Sequence, residues 1–318
     1  MRTSKSIVCW TAVAAALGCS AAHAAPQAFV QSDGNDGNTG AGCPSSSPCR
    51  TFQAALSVVD DGGNVVALDS GDFGMVTIKQ SVAIIGNGAA GIVVPGNGYG
   101  STIGVTIAGK GINVVLRGLN IGAVGLGGTG VYLKEGKSLQ IEKCVLSNFF
   151  RDGLEVAAPA SVRIVDTVMR GNSGNGASIR GGATADVVRS QFMGNGSSGL
   201  SVTADAAGTT SAVVSDSVAS SNGYAGFFVN AGDKSALGRM VVTGSTAAHN
   251  TRAGFLSTAY PGEAILTVGR SAAARNGIGF WQIPSPVGGL SSIETMGDNS
   301  VQGNGTAATG VVVAVPPM

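Results

Sequence analysis

Two residue types recur in step through the second half of the chain. Asn148, Asn172, Asn195, Asn222, Asn250, Asn276 and Asn304 follow one another at intervals of 24, 23, 27, 28, 26 and 28 residues. The glycines Gly130, Gly153, Gly176, Gly199, Gly226, Gly254 and Gly279 keep a similar beat, at 23, 23, 23, 27, 28 and 25. Around each pair the phrase is the same: a short apolar-polar strand, a small hydroxyl residue, the Asn, then the Gly with an apolar residue and another short strand. A unit this short cannot bury its own apolar face, so its copies must stack. A leucine-rich repeat has this period but needs a Leu frame that is missing, and a propeller blade needs ~40 residues or more. What fits is a coil of short strands, each paired with its counterpart one coil along at ~4.8 Å, so that like positions form columns.

The columns carry the physics. Ile141, Ile164, Val187, Val214, Val242, Val268 and Met296 form an apolar column that should face inward. Lys143, Asp166, Arg189, Asp216, Gly244, Arg270 and Asp298 form a column of largely alternating charge, placed outward by strand alternation and read as a surface ladder that fixes register. Cys144, Thr167, Ser190, Ser217, Ser245, Ser271 and Asn299 form a small polar column, in which Cys144 is a buried small residue rather than a nucleophile. The recurrent Asn should build an amide ladder at a tight turn. After each glycine come Val131, Leu154, Ala177, Leu200, Phe227, Phe255 and Phe280, inward. Then follow Tyr132, Glu155, Ser178, Ser201, Phe228, Leu256 and Trp281, outward. The apolar members of that last column, with Tyr132, are the candidate binding residues, since flat aromatic platforms suit sugar rings. The alternative is that the loop Pro284 to Leu290 or the tail Val311 to Val315 covers them. The pattern predicts an all-β fold, a single-stranded right-handed parallel β-helix.

Composition agrees. Gly supplies 51 of 318 residues and charged residues only 12%, which penalises long helices, while a 44% hydrophobic content is more than a disordered chain carries. Arg2 and Lys5, the apolar run Ile7 to Leu17 and the small-x-small Ala22-His23-Ala24 read as a secretory signal peptide over residues 1–24. Lipoprotein processing at Cys19 is the weaker rival. The expected organisation is a signal peptide over 1–24, an N-terminal cap and first strands over 25–74, and the β-helix over 75–318. Removing residues 1–24 leaves 17 bases against 18 acids, net −1, which is no footprint for nucleic acid. No transmembrane segment is expected beyond the signal. In an oxidising, periplasmic or extracellular compartment Cys43 and Cys49 are expected to form a disulfide.

Ahead of the repeats, Thr51 can N-cap a short helix whose residues Phe52, Ala55, Leu56 and Val59 share one face and cover the open end of the first coil. The order of a Gly34-Asn35-Asp36-Gly37-Asn38 loop, a Pro48-Cys49-Arg50-Thr51-Phe52-Gln53-Ala54-Ala55 helix, a Gly62-Gly63-Asn64-Val65-Val66 strand and a Gly71-Asp72-Phe73-Gly74 turn resembles bacterial right-handed parallel β-helix repeat proteins of the pectate-lyase-like superfamily. With the coils, the resemblance spans residues 29 to about 313. It implies the fold and no single activity, because that superfamily holds lyases, hydrolases, esterases, epimerases and proteins without a known reaction. The Asn-Thr-Asp, Asp-Asp, Gly-His-Gly and Arg-Ile-Lys elements of polygalacturonases are missing from the coils, Asp60-Asp61 lying ahead of them. A calcium-dependent lyase needs converging acids and a base; the candidates are Asp152, Glu155 and Asp166 with Arg163, or with Arg151, Arg170, Arg180 or Arg189. Arg163 and Asp166, three apart on one strand, point to opposite faces. The expectation is therefore an exported, monomeric, non-catalytic β-helix that contacts polysaccharide and holds no metal or cofactor. The alternatives are a polysaccharide lyase or glycoside hydrolase, with Ca2+ only in the lyase case, and a surface adhesin or structural solenoid.

Overall fold

The computed structural model describes residues 25–316; the expected signal peptide and Cys19 lie outside them. The chain winds as a right-handed parallel β-solenoid with three strands in a typical coil. The coil beginning at Ser161 shows the plan. Its first face is Ser161–Val165, its second Val168–Arg170, and its third Ala177–Ile179. First and second faces belong to one 20-stranded sheet, and the third is a separate ten-stranded sheet. Every strand pairs in parallel with its counterpart one coil away, as Ile164 does with Ile141 and Val187.

Short alternating segments form these strands because one side chain in two meets a common interior. The inward column Ile141, Ile164, Val187, Val214, Val242 and Val268 is completely buried. In the last coil Thr295, not Met296, pairs with Val268, so Met296 falls one residue outside that column. The third face sends Val131, Leu154, Ala177, Leu200, Phe227, Phe255 and Phe280 inward. The last three rings stack at 5.5 and 5.2 Å.

Three bends turn a typical coil, and the two that flank the second face are left-handed. Lys143, Asp166, Arg189, Asp216 and Arg270 have φ between 46° and 52°, and Gly244 has φ 59°. The charged column faces outward because it occupies this bend, and not through strand alternation. What holds L-residues there is the hydroxyl column. Thr167, Ser190, Ser217, Ser245 and Ser271 each donate from Oγ to the carbonyl two residues back, closing the bend. Each also accepts the backbone N–H of its counterpart in the preceding coil, as Ser217 does from Ser190 at 3.1 Å. Cys144 stands at the column's start and is buried, and that burial pushes its thiol pKa up to about 11.

The second bend carries the amide ladder. Asn172 donates from its N–H and Nδ2 to Oδ1 of Asn195, and the same pair of bonds runs on through Asn222, Asn250, Asn276 and Asn304 at 2.8–3.2 Å. Asn148 is not its first member. Strand register advances 23 residues between those coils, so Phe149 holds the equivalent place and donates its N–H to Asn172. Asn148 is the left-handed residue before it, with φ 66°, where later coils have Gly171, Gly194, Ser221 or His249. The marker glycines follow from crowding: a Cβ on Gly153 would lie 2.7 Å from the Gly176 carbonyl and 2.9 Å from Nδ2 of Asn172.

At the N-terminal end, Phe52–Leu56 is the short capping helix. Thr51 accepts the Ala54 N–H, and Phe52, Ala55 and Leu56 are buried. Val59 leaves the helix and opens the strand Val59–Ala67, which pairs with Ala25–Val30. Asp36 ties the preceding loop to this helix, accepting from the N–H groups of Arg50 and Thr51 and from the Thr51 hydroxyl. Cys43 and Cys49 form the expected disulfide, with Cα atoms 5.2 Å apart.

Candidate functional site

Three outward columns cross the outer side of the third face. One runs Arg151, Gly174, Ser197, Tyr224 and Arg252, each later member donating its N–H to the carbonyl of the one before. The second begins Asp152, Asn175 and Ser198: Asp152 Oδ1 accepts the Asn175 N–H at 2.6 Å and its Nδ2 at 3.1 Å, and Asn175 Oδ1 accepts the Ser198 N–H. The third is Tyr132, Glu155, Ser178, Ser201, Phe228, Leu256 and Trp281, in the register expected from the sequence.

Side-chain size along these columns makes a cleft. Large charged residues, Arg151, Asp152 and Glu155, stand on one coil, with Arg180 on the next. Gly174, Ser178, Ser197 and Ser201 are small and form a floor, and the Tyr224 and Phe228 rings rise beyond it. The resulting cavity has a volume of about 590 Å³. Glu155 and Phe228 are three coils apart, a span of about 14 Å at the spacing of paired strands. A smaller hollow of about 230 Å³ lies on the other side of Arg151 and Glu155 and is lined by Tyr132, Thr129 and Ser101.

The charged wall is internally paired. Arg180 Nη2 bonds to Glu155 Oε1, and Arg180 Nη1 lies 4.0 Å from Asp205. Burial raises the pKa of Asp152, against the opposing hydrogen bonds from Asn175, and the nearby Glu155 charge raises it further. On the opposite wall Tyr224 and Phe228 meet edge to face at 5.7 Å, and the Arg252 guanidinium lies 5.8 Å from the Tyr224 ring centre. Behind them Leu256 is fully buried, in a satellite cluster with Ala225 and Ala253 against which Phe228, Trp281 and Ile283 pack. Leu256 therefore props the aromatic wall from within and offers no contact surface itself.

Of the residues singled out from sequence, Asp152, Glu155 and Phe228 line this cleft and Tyr132 lines the adjoining hollow. Trp281 lies two coils past Phe228, half-buried. Asp166 and Arg163 are elsewhere. Asp166 sits in the bend after the first face and accepts two bonds from Arg189, at 2.8 and 3.1 Å, which hold its carboxyl pKa below the usual value. Arg163, on the first face, lies 3.5 Å from Asp186. The four proposed catalytic residues are thus split between two faces and do not converge. Tyr224, Asn175 and Asp205 escape a reading of single columns. Tyr224 was detectable, because Arg151, Tyr224 and Arg252 all fall two residues ahead of a marker glycine.

The comparisons with known proteins agree with this architecture. The family model described as "Right handed beta helix region" matches residues 54–211 and 103–267. No curated protein matches the sequence. Among solved structures, the pectate lyase Pel9A superposes with a TM-score of 0.61 at 17% identity, over 87% of this chain and 79% of that one. The periplasmic alginate epimerase AlgG superposes with a TM-score of 0.50 at 11% identity, over 81% of this chain and 79% of that one. At such identities the likeness is one of fold. Repeat, ladders, register and family match together identify the chain as a member of the right-handed β-helix family, with the pectin-lyase fold.

Proposed function

We propose that this protein is an exported, monomeric β-helix that binds polysaccharide in the third-face cleft without cleaving it. The observation that carries the proposal is the cleft itself, whose hydroxyl-lined floor lies between the Tyr224–Phe228 wall and the charged wall of Asp152, Glu155 and Arg180. A pyranose has hydroxyls for the floor and an apolar ring face for an aromatic wall. Supporting a binding role, the carboxylates nearest the floor are already committed: Glu155 to Arg180 and Asp152 to Asn175. Export is supported by the Cys43–Cys49 disulfide, and no helix among the described residues is long and apolar enough to cross a membrane. The structural neighbours are named for pectate and alginate, both polysaccharides.

The test is affinity electrophoresis of the full chain through gels containing a broad set of polysaccharides. At least one should retard it, and Phe228→Ala should weaken that retardation about tenfold, the loss of roughly 1.4 kcal/mol of stacking. No retardation by any polysaccharide, or retardation indifferent to Phe228→Ala, defeats the proposal. The raised Asp152 carboxyl favours a second reading, a lyase or hydrolase using Asp152 and Glu155. A product assay with and without Ca2+ separates the two: new reducing or unsaturated ends mean catalysis.

A further inference from the structure

We infer that the hollow beside Tyr132 is a second sugar subsite continuous with the cleft, so that the protein holds an oligosaccharide segment laid along the solenoid axis. The inference rests on reading the cleft as a glycan site. Tyr132, Glu155, Ser178, Ser201 and Phe228 are consecutive members of one outward column. Two aromatic side chains therefore stand at the ends of a line of four strand spacings, about 19 Å. A single pyranose cannot span that line, and an oligosaccharide can.

The junction between the two hollows is low. Arg151 and Glu155 line both of them. The Glu155 side chain is only 18% exposed, because its bond to Arg180 on the next coil holds it down along the face. Arg151 is exposed and makes no ion pair among the described residues, so its guanidinium is free to donate to ligand oxygens on either side. The far wall of the smaller hollow includes Gly100 and Ser101, and it is held in place. Asn97 Oδ1 accepts the N–H groups of Tyr99 and Ser101, and its Nδ2 donates to the Ser101 hydroxyl at 2.6 Å. Gly100, with φ 60°, packs so closely on Phe150 that a Cβ there would lie 2.3 Å from the ring. Phe150 in turn lines the cleft, so one ring positions both the loop and the cleft's rim. A wall fixed before binding costs little ordering. The Ser101 hydroxyl beside the Tyr132 ring repeats the chemistry of the larger cleft.

Calorimetric titration of the full chain with di- to hexasaccharides of cellulose, mannan and polygalacturonate reads the length of the site. At least one series should bind, its affinity rising about tenfold or more from the disaccharide to the longest member as the second hollow fills. Tyr132→Ala should lower hexasaccharide affinity about tenfold and flatten that rise, while the disaccharide, held in the larger cleft, changes less than about twofold. Phe228→Ala should weaken every length. Ser101→Leu, at an exposed loop position, fills the hollow without removing a packed ring and should reproduce the loss even where Tyr132→Ala melts early. Affinity already maximal with the disaccharide, or a rise with length that survives both Tyr132→Ala and Ser101→Leu, overturns the second subsite and leaves the cleft as the glycan site. Binding of no series, short or long, overturns both.

Discussion

Removing one rung of the amide ladder should cost far more than its single side chain implies. In Asn222→Ala the lost Oδ1 had accepted the Asn195 N–H and its Nδ2, and the lost Nδ2 had donated to the Phe192 carbonyl and to Asn250 Oδ1. Asn195 Nδ2 keeps the Met169 carbonyl, and Asn250 Oδ1 keeps the Asn222 N–H. The Asn195 N–H is left without a partner in a site from which water is excluded, while the Phe192 carbonyl loses one bond but keeps its place in the parallel ladder opposite Ala219. At about 1–3 kcal/mol for the unsatisfied donor and about 0.5–1.5 kcal/mol for the lost bond, the loss is about 2–4 kcal/mol. Asn148 is the internal control. It stands in the left-handed bend outside the ladder, where Gly is equally suited, so Asn148→Gly should change stability by no more than about 0.5 kcal/mol. Urea unfolding followed by circular dichroism measures both. A loss below about 1 kcal/mol for Asn222→Ala, or one no larger than that of Asn148→Gly, would refute the ladder as a stabilising element.

Other perturbations test the packing and the site. Gly226→Ala should destabilise by about 1–3 kcal/mol by overpacking, because the added methyl would lie 2.8 Å from the Gly254 carbonyl and 2.9 Å from Nδ2 of Asn250; an unchanged unfolding midpoint would refute it. Cys144, buried and with its thiol at about 11, should resist alkylation at pH 8 in the native protein and react once the chain is unfolded, as read by peptide mass spectrometry. Asp152 has a pKa raised above its ordinary 3.8 on folding, so its ionised form costs stability at neutral pH and that cost vanishes as pH falls below 3.8. Asp152→Asn, which keeps an acceptor for Asn175, should therefore be the more stable protein at pH 7, with the advantage closing towards pH 3.8 in thermal melts; an advantage that grows on acidification would reverse the assignment.

The solenoid was legible in the sequence because every coil repeats one solution to the same problem. A pair of markers kept the beat, and the columns they defined faced inward or outward as expected over most of the chain. Errors arose where the interval between markers departed from the strand register. The 24-residue step from Asn148 to Asn172 exceeds the 23-residue strand register, which moves Asn148 off the ladder. Met296 missed its column by one residue beyond the Pro284–Leu290 loop. The left-handed bend was hidden because Lys143, Arg189 and Arg270 carry no turn signature of their own; the following side chains, the Cys144 thiol and the Ser190 and Ser271 hydroxyls, close the bend around them. Half of the site was legible too. Glu155 and Phe228 belong to a column defined by the glycines, but the cleft between them is a property of several adjoining columns. Its floor exists because two successive coils carry Gly174 and Ser178, then Ser197 and Ser201, where the coils on either side carry large residues, and emptiness leaves no motif.

The cleft as a sugar site is tested most directly by a crystal structure of the protein with a bound oligosaccharide. The account predicts one pyranose ring packed against Phe228, its hydroxyls over Ser178 and Ser201, and the Glu155–Arg180 pair intact beside it. An oligosaccharide found on the first or second face, with the third-face cleft holding only solvent, would contradict it.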